Sequence, residues 1–92
     1  MANRVSRQTY KALRAFAKAV RAVTDIYDQP SPDSNAEYLA REYLPDMTSM
    51  LKEQLVTVVG DQSIREDILT SAGLDYMCED VAMLAQELDM EG

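Results

Sequence analysis

Six basic residues near the N-terminus follow one another at intervals of three and four positions, which is the repeat of one helix face. A row of cations can contact an acidic protein, a nucleic acid or a membrane surface, and it can also be a solvated face without a partner. After Arg4 come five residues that we call the basic stripe: Arg7, Lys11, Arg14, Lys18 and Arg21. The basic stripe is the first candidate for an interaction site.

Charge is divided unevenly along the chain. Residues 1–29 contain six basic and two acidic side chains, a net charge of +4, whereas residues 30–92 contain three and fourteen, a net charge of −11. The charges at the two ends of the predicted first helix are also placed unfavourably. Arg7 is near the positive end of the helix dipole and Asp25 is near the negative end. We therefore infer, as a hypothesis, that the stripe contacts acidic groups of this chain, of a second copy or of a partner.

The other residue types argue against several chemistries. The chain contains no histidine, so triads and metal sites that depend on imidazole are absent, and its one cysteine cannot form an internal disulfide. The adjacent acids at 66–67 and 79–80 do not share a helix face. Acids beside Cys78 disfavour a reactive thiolate. We expect no catalytic, cofactor-binding or metal-binding residues and no enzymatic activity.

A long helix must position the basic stripe. The spacing predicts one amphipathic helix over residues 4–28, with Asn3 or Ser6 as its N-cap. Its apolar residues lie opposite the stripe: Val5, Leu13, Phe16, Val20, Val23 and Tyr27. Pro30 and Pro32 cannot continue this helix, so residues 29–35 are predicted to form a loop.

The second helical pattern covers residues 40–58. The capping box Ser34–Glu37 is expected to start this helix, with Ser31 as a rival start. Pro45 lies inside the pattern and predicts a kink, or a break into two helices near Leu44. Residues 55–59 have the composition of a strand, which leaves a short strand as the alternative to the last helical turns before Gly60.

Two shorter helices are predicted after Gly60. The capping box Ser63–Glu66 is expected to begin the third helix, and Gly73 to end it as a C′ glycine. Asp75 is then expected to cap an acidic fourth helix. Its predicted apolar side consists of Met77, Val81, Leu84, Ala85 and Leu88.

These elements predict one all-α domain over residues 1–92, a compact bundle of about four helices. The first is long and basic, the second Pro-kinked, the third short and the fourth acidic. The first helix has more apolar surface than its own chain is expected to cover, so we predict a homodimer. The candidate apolar interface is Phe16, Val20, Met83 and Met90.

A small acidic protein without catalytic groups is expected to act by protein–protein interaction, as an adaptor, an assembly factor or an inhibitor of the type found in phages and mobile elements. One alternative is nucleic-acid binding through the basic stripe. Another is that the acidic residues imitate the phosphates of a nucleic acid and block a basic site on another protein. No motif identifies a family. No apolar run approaches the ~18 residues of a membrane span, and no signal-peptide core follows Met1, so we expect a cytoplasmic protein without a membrane partner or cofactor.

Overall fold

The computed structural model describes residues 5–91, and side chains as far as residue 88. This part of the chain contains four α-helices and no strand: α1 Arg7–Ile26, α2 Ser34–Thr57, α3 Gln62–Ser71 and α4 Cys78–Glu91. A 3-10 turn, Asp75–Met77, leads into α4. The predicted all-α bundle of about four helices is confirmed, and Leu55 to Thr57 are helical rather than part of a strand.

The first helix is shorter than predicted at both ends. Ser6 is its N-cap, since the hydroxyl oxygen accepts a 3.1 Å hydrogen bond from the backbone N–H of Thr9. The alternative cap, Asn3, lies outside the described residues. At the other end α1 stops at Ile26, and Tyr27 is 58% exposed rather than part of the apolar face.

Aspartates, not the predicted serines, cap the next two helices. Asp33 accepts from the N–H of Ala36 at 2.8 Å and starts α2, so neither Ser31 nor Ser34 is the cap. Asp61 accepts from the N–H of Ser63 at 2.8 Å and starts α3, so Ser63 lies inside the helix. In each case an aspartate stands just upstream of the expected cap. Its full negative charge at the positive end of the helix dipole favours the earlier start.

Pro45 does not divide the second helix, so of the two predicted alternatives, a kink or a break near Leu44, the break is wrong. The helix runs without interruption from Ser34 to Thr57 with the proline inside it. The missing N–H of Pro45 removes the bond to the carbonyl of Arg41, and both residues are exposed. Water can therefore satisfy that carbonyl, while the opposite side of α2 keeps its packing.

The end of α3 is a Schellman motif around Gly73, as predicted. Gly73 has a φ of +76°, its N–H bonds to the carbonyl of Thr70, and the N–H of Leu74 bonds to the carbonyl of Leu69 at 2.8 Å. Leu74 is buried behind the turn. Asp75 then begins the 3-10 turn, so the prediction that it caps α4 is wrong, and α4 begins at Cys78.

The core lies where α1 and α2 pack together and where α3 and α4 cover them. α1 packs against α2 and α3, and α4 packs against α2 and α3. The central buried side chains are Leu13, Ala17, Val20, Leu51, Leu55, Val59, Ile68, Leu69, Ala72, Leu74 and Val81. On α4 only part of the predicted apolar side is buried, because Leu84 and Leu88 are 37% and 43% exposed.

Candidate interaction surface

A groove of about 540 Å³ runs between α1 and α2. Its apolar centre is formed by Phe16 of α1, which is half-buried, and Met50 of α2, which is 57% exposed. The remaining lining residues are Gln8, Thr9, Ala12, Leu13, Leu51, Glu53 and Gln54. An open apolar groove with a few polar groups at one end is the usual form of a peptide or helix docking site.

An exposed apolar line on α2 extends this groove. Leu39, Tyr43 and Met50 are spaced four and seven residues apart, which places them on one side of the helix. They are 40%, 50% and 57% exposed. The Tyr43 ring also meets the Tyr38 ring edge to face, with the centroids 6.4 Å apart. Large apolar side chains in a line on a surface indicate a binding face rather than single exposed residues.

The α1 side of this surface is made of alanines. Ala12, Ala15, Ala19 and Ala22 are all exposed, and they lie beyond Phe16 as seen from α2. Small side chains allow another helix to approach the backbone closely. We define the α1–α2 face as the groove together with Leu39, Tyr43 and these alanines.

The basic stripe is exposed along its whole length, and two of its members pair within the chain. The Nη1 atom of Arg14 is 3.9 Å from a carboxylate oxygen of Asp67 on α3. The Nε atom of Arg21 donates to Asp25 of the same helix at 3.1 Å. Among the described residues no acid lies within ion-pair distance of the other three members, which are Arg7, Lys11 and Lys18.

A second contact joins α1 to α3 beside Arg14. The hydroxyl of Tyr10 donates a hydrogen bond to the Asp67 carboxylate, and the Arg14 guanidinium lies 5.9 Å from the centre of the Tyr10 ring. The hydrogen bond to Asp67, together with burial, raises the pKa of Tyr10, while Arg14 acts in the opposite direction. This end of the stripe therefore holds two helices of the same chain together.

Acids line the opposite border of the α1–α2 face. Glu42, Asp46 and Glu53 on α2 are exposed and lie beyond the apolar line as seen from α1. Among them, Glu42 is 3.7 Å from Arg41 of its own helix. The face is thus apolar in the centre, basic along one border and acidic along the other.

The predicted apolar interface is not one surface. Phe16 lines the groove, but Val20 is fully buried in the chain's own core and is not available to a second chain. Met83 is 61% exposed on α4 and takes no part in the groove. The side chain of Met90 lies outside the described residues.

Two features were not singled out from the sequence. The line Leu39, Tyr43 and Met50 has helical spacing, but the core pattern on the same helix is stronger and hides it. Arg65 is only 9% exposed; its Nη1 donates to the Val59 carbonyl at 2.9 Å, and its buried Nε has no partner. It thus holds the end of α2 against α3, a tertiary contact without a sequence signal.

No cluster of three potential metal ligands is found among the described residues. Burial, with smaller contributions from Glu66 and Asp75, raises the pKa of the half-buried Cys78 thiol. None of the described helices is both long and apolar enough to cross a membrane. Comparison with protein-family models, curated proteins and solved structures finds no match to this chain.

Proposed function

We propose that this protein acts by protein–protein interaction through the α1–α2 face. The supporting observation is the groove between Phe16 and Met50, continued by the exposed apolar line on α2. Phe, Tyr and Met side chains are enriched at the buried centre of protein interfaces, and Met is common at adaptable binding surfaces. The adaptor, assembly-factor or inhibitor role and a cytoplasmic location belong to the same proposal.

The borders of the face specify the chemistry of the partner. Its bound element presents an apolar helical stripe to the groove, with acids toward Lys11 and Lys18 and bases toward Asp46 and Glu53. Border charges contribute mainly to orientation and association rate, while the apolar centre contributes affinity. The result is a partner that binds in one direction only.

The two nucleic-acid alternatives have less support. Arg14 and Arg21 already pair with Asp67 and Asp25, which leaves fewer cations for phosphates. The net charge of −7 also opposes long-range attraction to a nucleic acid. For mimicry of a nucleic acid, the line of exposed acids on α2 is short, since it consists of Glu42, Asp46 and Glu53, and the other exposed acids are distributed over several elements.

Site-specific photocrosslinking in the source cells tests the proposal. A benzophenone amino acid at Ala12, in the groove wall, should give an adduct with a protein whose crosslinked peptide, identified by mass spectrometry, carries an apolar helical stripe. The same probe at Gln86, an exposed position on α4, is the matched control and should give no such adduct. Adding Met50→Glu to the Ala12 probe should abolish the adduct. Equal adducts at both positions, or an adduct that survives Met50→Glu, would overturn the proposal.

A further inference from the structure

We infer that the partner of the α1–α2 face is a second copy of this chain, bound about a two-fold axis parallel to the two helices. This inference rests on the proposed function, since it names the occupant of the same face. It follows from the positions of the charges on the two borders. Those positions determine which surface can lie opposite this one.

The charges on the two borders lie at matching levels. Leu13 and Leu51 both line the groove, and Ile26 lies beside Glu37 and Ala40 at the other end of the helix pair, so the two helices run antiparallel. We take Leu13 as level with Leu51, which also brings Thr9 close to the level of Gln54. Both helices rise equally per residue. Lys11, two residues before Leu13, is therefore level with Glu53, two residues after Leu51. In the same way Lys18, five residues after Leu13, is level with Asp46, five residues before Leu51.

A two-fold axis parallel to the helices makes use of this match. It places α1 of one copy opposite α2 of the other without changing the level of any residue. Lys11 then faces Glu53 of the second copy, and Lys18 faces Asp46 of the second copy. The symmetry repeats both pairs, as it does in every isologous interface. A two-fold axis perpendicular to the helices would instead set α1 against α1 and lysines against lysines.

The apolar centre fits the same arrangement. Met50 and Tyr43 of one copy come against the alanines of the other copy's α1, so large side chains meet small ones. Each helix is antiparallel to both of its neighbours, as in an up-down four-helix bundle. The arrangement also brings Lys11 and Lys18, which have no ion-pair partner among the described residues of their own chain, next to acids of the second copy. A basic first helix and an acidic second helix are what this pairing requires.

Reversing the border charges tests the inference by sedimentation. The wild-type protein should sediment as a dimer at micromolar concentration. Lys11→Glu with Lys18→Glu sets acid against acid at both proposed border pairs and should weaken self-association at least tenfold. Asp46→Lys with Glu53→Lys makes both borders basic and should do the same. All four side chains are exposed, so helicity and thermal unfolding of the monomer should be unchanged.

Mixing the two variants is the decisive arm. In a dimer of one variant with the other, an acid faces a lysine at every border pair. The heterodimer should therefore form with near wild-type affinity. Salt should weaken that heterodimer, because exposed charges are screened. Met50→Glu should disrupt the dimer while Met83→Glu, at a comparably exposed methionine on α4, should not.

Three results would overturn the inference. They are a wild-type monomer at high micromolar concentration, a dimer unaffected by the border reversals, or a mixture that stays monomeric. An Ala12 adduct to a different protein, from a chain that remains monomeric, would refute the second copy as occupant and leave the proposed function standing. Loss of both the adduct and the dimer would refute the two together.

Discussion

The turn at Gly73 allows a stability prediction with an internal control. Its φ of +76° lies in the left-handed region that L side chains rarely adopt, and a Cβ added there would lie 3.0 Å from Cδ of Arg21. Gly60 follows α2, is exposed, and is not among the positive-φ residues. Gly73→Ala and Gly60→Ala therefore make the same chemical change in two different backbone conformations.

The two substitutions should act in opposite directions. Forcing alanine into the left-handed region costs roughly 1–2 kcal/mol. Displacing the exposed Arg21 side chain from Asp25 adds about 0.3–0.5 kcal/mol, and the reduced freedom of the unfolded chain returns about 0.4–1 kcal/mol. The net loss for Gly73→Ala is about 0.3–2 kcal/mol, centred on about 1 kcal/mol. Gly60→Ala should be neutral or stabilising by about 0.4–1 kcal/mol.

Urea unfolding followed by circular dichroism measures both effects. With an m-value of about 1–1.5 kcal/mol/M, the midpoint should fall by about 1 M for Gly73→Ala and stay constant or rise for Gly60→Ala. All variants are compared at one low protein concentration, because self-association would add to the stability. The unfolding midpoint of Gly73→Asn should lie between those of Gly73→Ala and the wild type, since asparagine tolerates the left-handed region. A Gly73→Ala variant as stable as wild type would refute the assigned turn.

Two further predictions concern the core and the contact between α1 and α3. Leu51→Ala, at a fully buried position, should cost about 2–5 kcal/mol in the free energy of unfolding, whereas Met83→Ala on the exposed side of α4 should cost almost nothing; equal losses would contradict the assigned core. The pKa of Tyr10 is raised in the folded protein, so Tyr10 stabilises the fold at pH values below the ordinary pKa of tyrosine. This stabilisation is lost as the pH rises through the pKa that Tyr10 has in the folded protein. Tyrosinate absorbance should show one late-titrating tyrosine that disappears in Tyr10→Phe and titrates earlier in Asp67→Asn, and an unchanged titration in Asp67→Asn would contradict the contact.

The helices were predictable because they rest on local periodicity. The repeat of apolar and basic residues predicted the position of α1, and Gly73 predicted the end of α3. The caps were less predictable, since Asp33 and Asp61 compete with nearby serines of equal capping propensity. Whether Pro45 would kink or break the second helix was not predictable, because the outcome depends on whether the freed carbonyl faces water, which is a property of the folded molecule.

The candidate site was only partly predictable, because it depends on which helices meet. The exposure of the stripe followed from its spacing, whereas the contact of Arg14 with Asp67 depends on how α3 packs against α1. Val20 and Phe16 look alike in the helical pattern, but the first is enclosed by the chain's own core and the second remains at the groove. Met50 is part of a groove only because α1 packs beside it, and the sequence does not show which helices are neighbours.

The protection of one methionine tests the central claim most directly. Met50 and Met83 are 57% and 61% exposed in the single chain, so their methyl groups serve as probe and control in one sample. In methyl NMR with a soluble paramagnetic agent, at a concentration where the dimer is populated, a covered α1–α2 face should broaden Met50 several-fold less than Met83. Equal broadening of the two methyl signals would contradict it.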